Sequence, residues 1–135
     1  GVHGTSYGGY SSVMAILRYP KLFRASVASS SVTDWRHYDT IYTERFMGLP
    51  WENENKAGYD AGSAMTYAQN LEGSLMLFFG TADNNVHPSN TLMLAKALNQ
   101  AGKRYSMMVG PDVGHAGLSF ERTWEYFHKH LDLGN

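Results

Sequence analysis

The spacing of apolar residues divides the chain into short strands and helices. Near the start, four apolar residues recur every three or four positions: Tyr10, Val13, Met14 and Leu17. This spacing places them on one face of a helix over residues 10–18. Pro20 disfavours an extension of this helix. Two further segments have the character of strands, residues 24–29 and the unbroken apolar run 75–79 before Gly80. Such a run is typical of a strand that is buried on both faces of a sheet.

The second half of the chain repeats this alternation. Pro88 suits the first position of a helix, and Gly102 is placed to end it. The apolar residues of that helix recur at helical spacing: Leu94, Ala97, Leu98 and Ala101. A strand is predicted over residues 105–109, and Ser119 can cap a last helix. The predicted apolar stripe of the last helix consists of Phe120, Trp124, Phe127 and Leu131.

The segment 34–74 is less regular. It contains a predicted helix over residues 35–46 and, after Met47, a loop that is rich in Gly, Asn and Glu. We expect an insertion or a lid-like excursion there. Outside this segment strands and helices alternate, which predicts a mostly parallel sheet that is flanked by helices. The predicted fold class is therefore α/β.

Composition and charge narrow the class of protein. The 135 residues are 43% hydrophobic and 13% aromatic, which suits one packed core and excludes intrinsic disorder. Eleven basic and twelve acidic residues give a net charge of −1 without a basic patch, which argues against nucleic acid as a partner. No apolar run reaches the roughly 18 to 20 residues of a bilayer span. Because the chain has no cysteine, thiolate catalysis and disulfides are excluded, and the compartment is left open.

One motif near the start of the chain is typical of a catalytic serine. Residues 4–8, Gly-Thr-Ser-Tyr-Gly, match the G-x-S-x-G nucleophile elbow, a sharp turn that exposes a strained serine above a sheet. Its two glycines are expected where neighbouring backbone leaves no space for a β-carbon. A helix follows Ser6 directly, and the positive end of that helix would stabilise negative charge beside the serine. The structural alternative is a Gly-rich turn that only connects a strand to a helix.

An elbow serine needs an acid and a histidine further along the chain, each in a loop after a strand. Asp83 follows the apolar run that ends at Phe79, and His115 follows the strand that ends at Val109. In the predicted roles, His115 takes the proton from Ser6 and later protonates the leaving group, while Asp83 orients the imidazole. Taken singly, a turn aspartate and a loop histidine are the simpler interpretation. Their joint placement favours a catalytic triad.

Other titratable residues fit these roles less well. Asp112 is close to His115 in sequence, but its position after Pro111 is better explained by a turn. His128 and His130 fall in the last predicted helix, where a solvated face is the ordinary explanation. The other histidines have no second ligand at metal spacing: His3, His37 and His87. No metal site and no cofactor are predicted.

These motifs resemble the C-terminal part of the catalytic α/β-hydrolase domain of the prolyl oligopeptidase family, in its dipeptidyl peptidase IV-like branch. The resemblance covers essentially the whole chain, residues 1–135, and rests on four segments: residues 4–10, 38–50, 80–87 and 114–117. The second and third segments are the most specific to this branch. The implied domain is a partial one that starts at the nucleophile elbow, and we expect the strand before Gly4 to be missing.

The resemblance implies a role for each matching residue. Ser6, Asp83 and His115 correspond to the triad, and the backbone N–H of Tyr7 corresponds to one oxyanion donor. The pocket that receives the proline before the cleaved bond corresponds to Tyr7, Val32, Trp35, Tyr38, Tyr42 and Val86. Asn85 matches an amide that binds the carbonyl of the preceding substrate residue.

Without the resemblance, the aromatic residues of the segment 35–46 would be interpreted differently. They recur at helical spacing and would form a stripe that faces the core: Trp35, Tyr38, Tyr42 and Phe46. The resemblance reassigns all of them except Phe46 to the pocket. An apolar aromatic slot suits a pyrrolidine ring, because a proline within a peptide has no N–H that needs a partner.

The resemblance implies a serine exopeptidase that cleaves after proline or alanine near the N-terminus of peptides, through an acyl-enzyme. It also implies a preceding part of the protein that supplies a second oxyanion donor and a β-propeller whose acidic residues hold the substrate amine. It allows a homodimer and favours a periplasmic or secreted location. The alternatives are an acylaminoacyl peptidase or esterase on the same fold, or an inert truncated fragment. We expect the 135-residue chain alone to have little activity.

Overall fold

The computed structural model describes residues 1–132 and contains one sheet of four parallel strands. The strands are β1 Val2–Thr5, β2 Ala25–Ser29, β3 Ser74–Gly80 and β4 Ser106–Gly110. They lie side by side in chain order, and every neighbouring pair is parallel. The prediction of an α/β fold with a parallel sheet is therefore confirmed.

Five α-helices connect and flank these strands: α1 Tyr7–Arg18, α2 Thr40–Met47, α3 Lys56–Gly62, α4 Ser89–Gln100 and α5 Phe120–Leu131. Two short 3₁₀ helices cover Trp35–His37 and Ala64–Asn70. Helices α1 and α4 pack on one face of the sheet, where Leu75 and Leu77 of β3 are buried. Helix α5 packs on the other face, against Val27 and Met76. In the described part of the chain, no helix is long and apolar enough to cross a bilayer.

The strand before the elbow is present, and the expectation that it would be missing is wrong. Residues Val2–Thr5 form β1, with Val2 opposite Ser26 and Thr5 opposite Ser29 of β2. Four residues are enough for a strand here because a parallel partner supplies their hydrogen bonds. The elbow therefore starts from a paired strand.

The segment 34–74 also differs from its prediction. The helix expected over residues 35–46 is split, because the Asp39 carboxylate accepts the N–H groups of Ile41 and Tyr42 and so begins a new helix, α2. The loop expected after Met47 contains α3, which starts where the Asn55 side chain accepts the Gly58 N–H. Side-chain caps thus set helix boundaries that apolar periodicity does not show.

The apolar stripe predicted for the last helix is only partly correct. Phe127 is buried, but Phe120 is 71% exposed and Trp124 is 49% exposed. The residues of α5 that pack with the sheet are Tyr126 and Phe127, and Leu131 of the predicted stripe packs against the same cluster. The two exposed rings stack on each other with centroids 6.2 Å apart. The helix is therefore rotated relative to the predicted stripe, because its contact with the sheet runs through Tyr126 and Phe127.

Candidate active site

Ser6 occupies the turn between β1 and α1 in a conformation that L-residues rarely adopt. Its φ is 61° and its ψ is −119°. The Ser6 N–H donates to the Ser29 carbonyl, and the Ser6 carbonyl accepts the Tyr10 N–H, both at 3.0 Å. Backbone hydrogen bonds thus hold the strained residue on both sides. Tyr7 is the first residue of α1, so its N–H has no carbonyl acceptor within the helix.

Steric crowding requires glycine at some positions around Ser6 but not at others. A β-carbon on Gly4 would lie 2.5 Å from the backbone of Gly8, and one on Gly9 would lie 2.5 Å from the Ser29 carbonyl oxygen. A β-carbon on Gly8 would have nothing within 4 Å. The expectation that both motif glycines lack space for a β-carbon is correct for Gly4 and wrong for Gly8. Gly9, outside the pentapeptide, takes the second tightly packed position.

The Asp83 carboxylate is buried, and both of its oxygens form hydrogen bonds. Its Oδ1 accepts the N–H groups of Asn85 and Val86, both at 2.9 Å, and its Oδ2 lies 2.9 Å from His115 Nδ1. The side chain of Asp83 has 0% exposure, whereas that of His115 has 25%. Because an ionised carboxylate only accepts hydrogen bonds, this contact assigns the ring proton to Nδ1. Nε2 of His115 is then the nitrogen that can accept a proton.

The loops that carry Asp83 and His115 are pressed together. The Ala82 N–H donates to the Val113 carbonyl at 3.0 Å, and a β-carbon on Gly80 would lie 2.5 Å from the Gly114 carbonyl oxygen. Such an approach is open only to glycine at position 80. The two loops follow neighbouring strands, β3 and β4, so the pairing of these strands brings the acid and the histidine to one end of the sheet.

The same loop also contacts the strand end beside the elbow. The Ser30 hydroxyl donates to the Ala116 carbonyl at 2.6 Å, and the Leu118 N–H donates to Ser29 Oγ at 3.0 Å. Within residues 1–132 the Ser6 hydroxyl forms no hydrogen bond with His115. Catalytic hydrogen bonds often tighten only when substrate binds. In the structure, Ser6 and His115 thus lie in segments that contact the same strand end, without a hydrogen bond between their side chains.

The other titratable residues considered from the sequence lie elsewhere. Asp112 has a φ of 58°, and its N–H donates to Thr81 Oγ1 at 2.8 Å, which is the geometry of a turn. The His87 ring accepts the Ser89 N–H at 3.1 Å near the start of α4. No group of three or more His, Asp or Glu residues could hold a metal ion in the part of the chain described here.

An aromatic cavity of about 440 Å³ lies on the α1 and α2 side of the elbow. Its lining is mostly aromatic: Tyr7, Tyr10, Trp35, Tyr42, Thr43, Phe46, Met47 and Gly62. The Trp35 ring lies between two others of the lining, with its centroid 5.7 Å from that of Tyr7 and 6.2 Å from that of Tyr42. Since Tyr7 directly follows Ser6, the cavity adjoins the residue proposed as the nucleophile.

The residues predicted for the substrate pocket divide into two groups. Tyr7, Trp35 and Tyr42 line the cavity. Val32 and Val86 are instead buried with Trp35 in one hydrophobic cluster, against which Tyr38 packs. The Tyr38 hydroxyl also donates to Asn85 Oδ1 at 2.8 Å.

Sequence reasoning missed several residues that line this cavity. Phe46, expected in a stripe that faces the core, is 69% exposed and lines the cavity instead. Its position four residues after Tyr42 was the available signal, and the two rings lie 5.2 Å apart. Tyr10, which the spacing places on the same helical face as Val13 and Leu17, contacts both the core and the cavity. Its pKa is raised by burial, and its protonated hydroxyl donates to the Gly62 carbonyl at 2.9 Å.

Helix α3 ties the walls of the cavity to one another. The Arg36 guanidinium, next to Trp35, forms ion pairs with Asp34, which is buried, and with Asp60 of α3, which is partly exposed. The Tyr59 hydroxyl donates to the Gly48 carbonyl at 2.6 Å, directly after α2, and burial raises the pKa of Tyr59 so that the hydroxyl stays protonated. One short helix thereby holds both the Trp35 side and the α2 side of the cavity.

A parallel sheet with a strained serine between β1 and α1, followed by an acid and a histidine after later strands, defines an α/β-hydrolase type of fold. The model of the prolyl oligopeptidase family matches residues 1–133, and the chain belongs to this family.

Human dipeptidyl peptidase 8 is 40% identical over 134 residues, which make up 97% of this chain and 15% of that protein. Mouse prolyl endopeptidase FAP is 37% identical over 131 residues, 96% of this chain and 17% of that protein. The crystal structure of Porphyromonas gingivalis dipeptidyl peptidase 4 matches with a TM-score of 0.81 and 41% identity, over 94% of this chain and 18% of that one. The chain thus spans less than a fifth of the length of these relatives.

Proposed function

We propose that the whole protein containing this chain is a serine exopeptidase, similar to dipeptidyl peptidase IV, that cleaves after proline or alanine near the N-terminus of peptides. The observation that carries the proposal is the buried Asp83 carboxylate bonded to His115, in loops that adjoin the Ser6 elbow. Membership of the prolyl oligopeptidase family supports it. The names of the relatives, dipeptidyl peptidases and a prolyl endopeptidase, favour peptides as the substrate class.

In the proposed acylation step, Ser6 Oγ attacks the carbonyl carbon of the cleaved bond while its proton passes to His115 Nε2. The negative charge that develops on the carbonyl oxygen is stabilised by the Tyr7 N–H at the start of α1. Asp83 stabilises the imidazolium that forms. When the C–N bond breaks, Nε2 protonates the leaving amine, and the acyl group stays on Ser6 as an ester. His115 then takes a proton from water as the water oxygen attacks the ester carbon. When the bond from that carbon to Ser6 Oγ breaks, His115 returns a proton to Oγ, and the acid and free Ser6 are released.

In the proposed substrate complex, the aromatic cavity receives the side chain before the cleaved bond. The rings of Tyr7, Trp35 and Tyr42 offer apolar faces, which suit a pyrrolidine ring or a methyl group. Asn85 is proposed to bind the carbonyl of the preceding residue. Its Oδ1 already accepts the Tyr38 hydroxyl, so its NH₂ group is the end that can donate to a substrate.

In this proposal, residues 1–135 form part of the hydrolase domain, and the rest of the protein supplies the other groups. These are a second oxyanion donor and acidic side chains, on a β-propeller, that bind the free amine of the peptide. A homodimer is part of the same proposal. Binding the amine at a fixed distance from Ser6 would limit cleavage to a site near the N-terminus.

The test uses the whole protein and its Ser6→Ala variant. We expect a fluorophosphonate to label the wild type and not the variant, and Gly-Pro-p-nitroanilide to be hydrolysed only by the wild type. Acetyl-Gly-Pro-p-nitroanilide, which has no free amine, is expected to be a much poorer substrate. If the acetylated compound is hydrolysed as fast or faster, the protein does not need a free amine on its substrate. The proposed class would then be an endopeptidase, as named for one relative, or an acylaminoacyl peptidase. Absence of Ser6-dependent labelling would overturn the proposal.

A further inference from the structure

Two buried serines at the end of β2 take no part in the proposed reaction. Ser29 is 3% exposed and Ser30 is 1% exposed. The Ser29 carbonyl accepts the Ser6 N–H at 3.0 Å, and the Ser30 N–H donates to the Phe78 carbonyl of β3 at 2.8 Å. The backbone of this pair is therefore bonded to the elbow and to the strand that leads to Asp83.

The side chains of the same two serines hold the loop that carries His115. Ser30 Oγ donates to the carbonyl of Ala116, directly after the histidine, at 2.6 Å. Ser29 Oγ accepts the N–H of Leu118 at 3.0 Å. These contacts fix the backbone of the loop, whereas Asp83 fixes the imidazole ring. A single dipeptide thus connects the segment of the proposed nucleophile to the segment of the proposed base.

The backbone of Ser30 has an unusual conformation for a residue with a side chain. Its φ is 45°, in the left-handed region that favours glycine. A residue with a side chain persists in such a conformation only where the surrounding structure holds it. Glycine would adopt this conformation without strain, but it would lose the bond to the Ala116 carbonyl.

We propose that Ser29 and Ser30 are positioning residues for the serine-peptidase reaction. They set the separation of the Ser6 hydroxyl and the His115 imidazole by binding the His115 loop to the strand end that also holds the Ser6 N–H. The inference rests on the function proposed above. Neither hydroxyl contacts the reacting atoms, so the two serines act through the loop backbone, and a displacement of about 1 Å in such a contact can cost up to 100-fold in rate.

The decisive variant is Ser30→Gly in the whole protein, because it removes the hydroxyl and relieves the backbone strain together. We expect an unchanged or higher Tm and a kcat for Gly-Pro-p-nitroanilide that falls about 10- to 100-fold, with KM unchanged. The rate of fluorophosphonate labelling at Ser6 should fall in proportion. Ser30→Ala keeps the strain and loses only the hydroxyl, and Ser29→Ala leaves the Leu118 N–H without its acceptor. Both are expected to lower kcat in the same way.

Ser26→Ala is the matched control. Ser26 lies in the same strand, is fully buried, and its hydroxyl donates to the Ser12 carbonyl at 3.0 Å, away from the His115 loop. Its loss is expected to lower Tm and leave kcat and KM unchanged. A role of the serines in stability alone would make activity follow Tm, so Ser30→Gly would then be as active as the wild type.

The outcomes separate this inference from the proposed function. If the wild type is labelled at Ser6 and all the Ser29 and Ser30 variants keep their kcat, the positioning role is overturned and the proposed function stands. A rise in KM at constant kcat also overturns the positioning role. If the wild type shows no Ser6-dependent labelling, the proposed function falls, and the positioning role falls with it.

Discussion

The proposed catalytic residues and the aromatic cavity beside them are held in place by different kinds of contact. Ser6, Asp83 and His115 follow the ends of paired strands, and backbone hydrogen bonds and a buried carboxylate fix their segments. Around the cavity, Trp35 is buried, but other rings such as Phe46 are exposed, and side-chain contacts such as the Arg36 bridge connect the helices that carry them.

This difference has consequences for mutation. Strand ends are positioned by a cooperative ladder of hydrogen bonds, so the proposed triad has little freedom to adjust. Ion pairs near the surface are weak in water, and exposed rings can repack. Substitutions at the strand ends should therefore have large effects on activity or stability, whereas substitutions around the cavity should change selectivity by degrees.

The largest effect is expected from Asp83→Asn, among the residues that follow the strand ends. An amide in place of the carboxylate can donate to His115 Nδ1, which favours the tautomer with the proton on Nε2 and leaves no base for Ser6. By analogy with other triads, kcat for Gly-Pro-p-nitroanilide should fall about 10⁴-fold. Asp39→Asn is the control, because asparagine caps a helix as well as aspartate does. A fall of less than about tenfold at Asp83 would remove it from the triad.

The next effect distinguishes two glycines of the same motif. Gly4→Ala would place a β-carbon 2.5 Å from the Gly8 backbone, and we expect it to lower the free energy of unfolding by about 3 kcal/mol or more. Gly8→Ala meets open space inside α1 and should raise the stability by about 0.5 to 1 kcal/mol. Thermal unfolding of both variants checks this pair. Equal destabilisation by the two substitutions would contradict the steric account of the elbow.

A smaller effect is expected from Tyr42→Ala, in the lining of the aromatic cavity. The Tyr42 ring stacks on Trp35 and lines the cavity, so its loss should widen the proposed slot for proline. We expect kcat/KM for proline relative to bulkier residues to fall about tenfold. Ile41→Ala is the matched control on the same helix, because Ile41 is 83% exposed and does not line the cavity. An unchanged ratio in Tyr42→Ala would exclude Tyr42 from the pocket.

The smallest effect concerns the acid sensitivity of the α3 contacts. Hydrogen bonds from Lys56 and Arg36 lower the pKa of Asp60 below its usual 3.8. A lowered pKa in the folded state means that the ionised group stabilises the fold above pH 3.8, and this contribution is lost as the pH falls below that value. We expect the Tm of the wild type to exceed that of Asp60→Asn slightly at neutral pH. The difference should disappear in acid, and a constant difference at all pH values would contradict the ionic contact.

Much of the fold could be predicted from the sequence because its signals are local. The apolar run of β3, the periodicity of α1 and α4, and the stop at Gly102 depend on residues within a few positions of one another. The order of the elbow serine, Asp83 and His115 is equally visible along the chain. Parallel strands then bring these loops to one end of the sheet, so even the proximity of the acid and the histidine could be expected.

The remaining features depend on contacts between distant residues. The pairing of β1 with β2, the placement of Phe46 at the cavity and the rotation of α5 follow from where neighbouring elements pack. The bonds from Ser29 and Ser30 to the His115 loop join residues 89 and 86 positions apart. In the sequence these serines are ordinary polar residues at the end of a strand. Only when the chain is folded do their hydroxyls meet the loop, because hydrogen bonding acts over a few ångströms in space and leaves no periodic pattern along the chain.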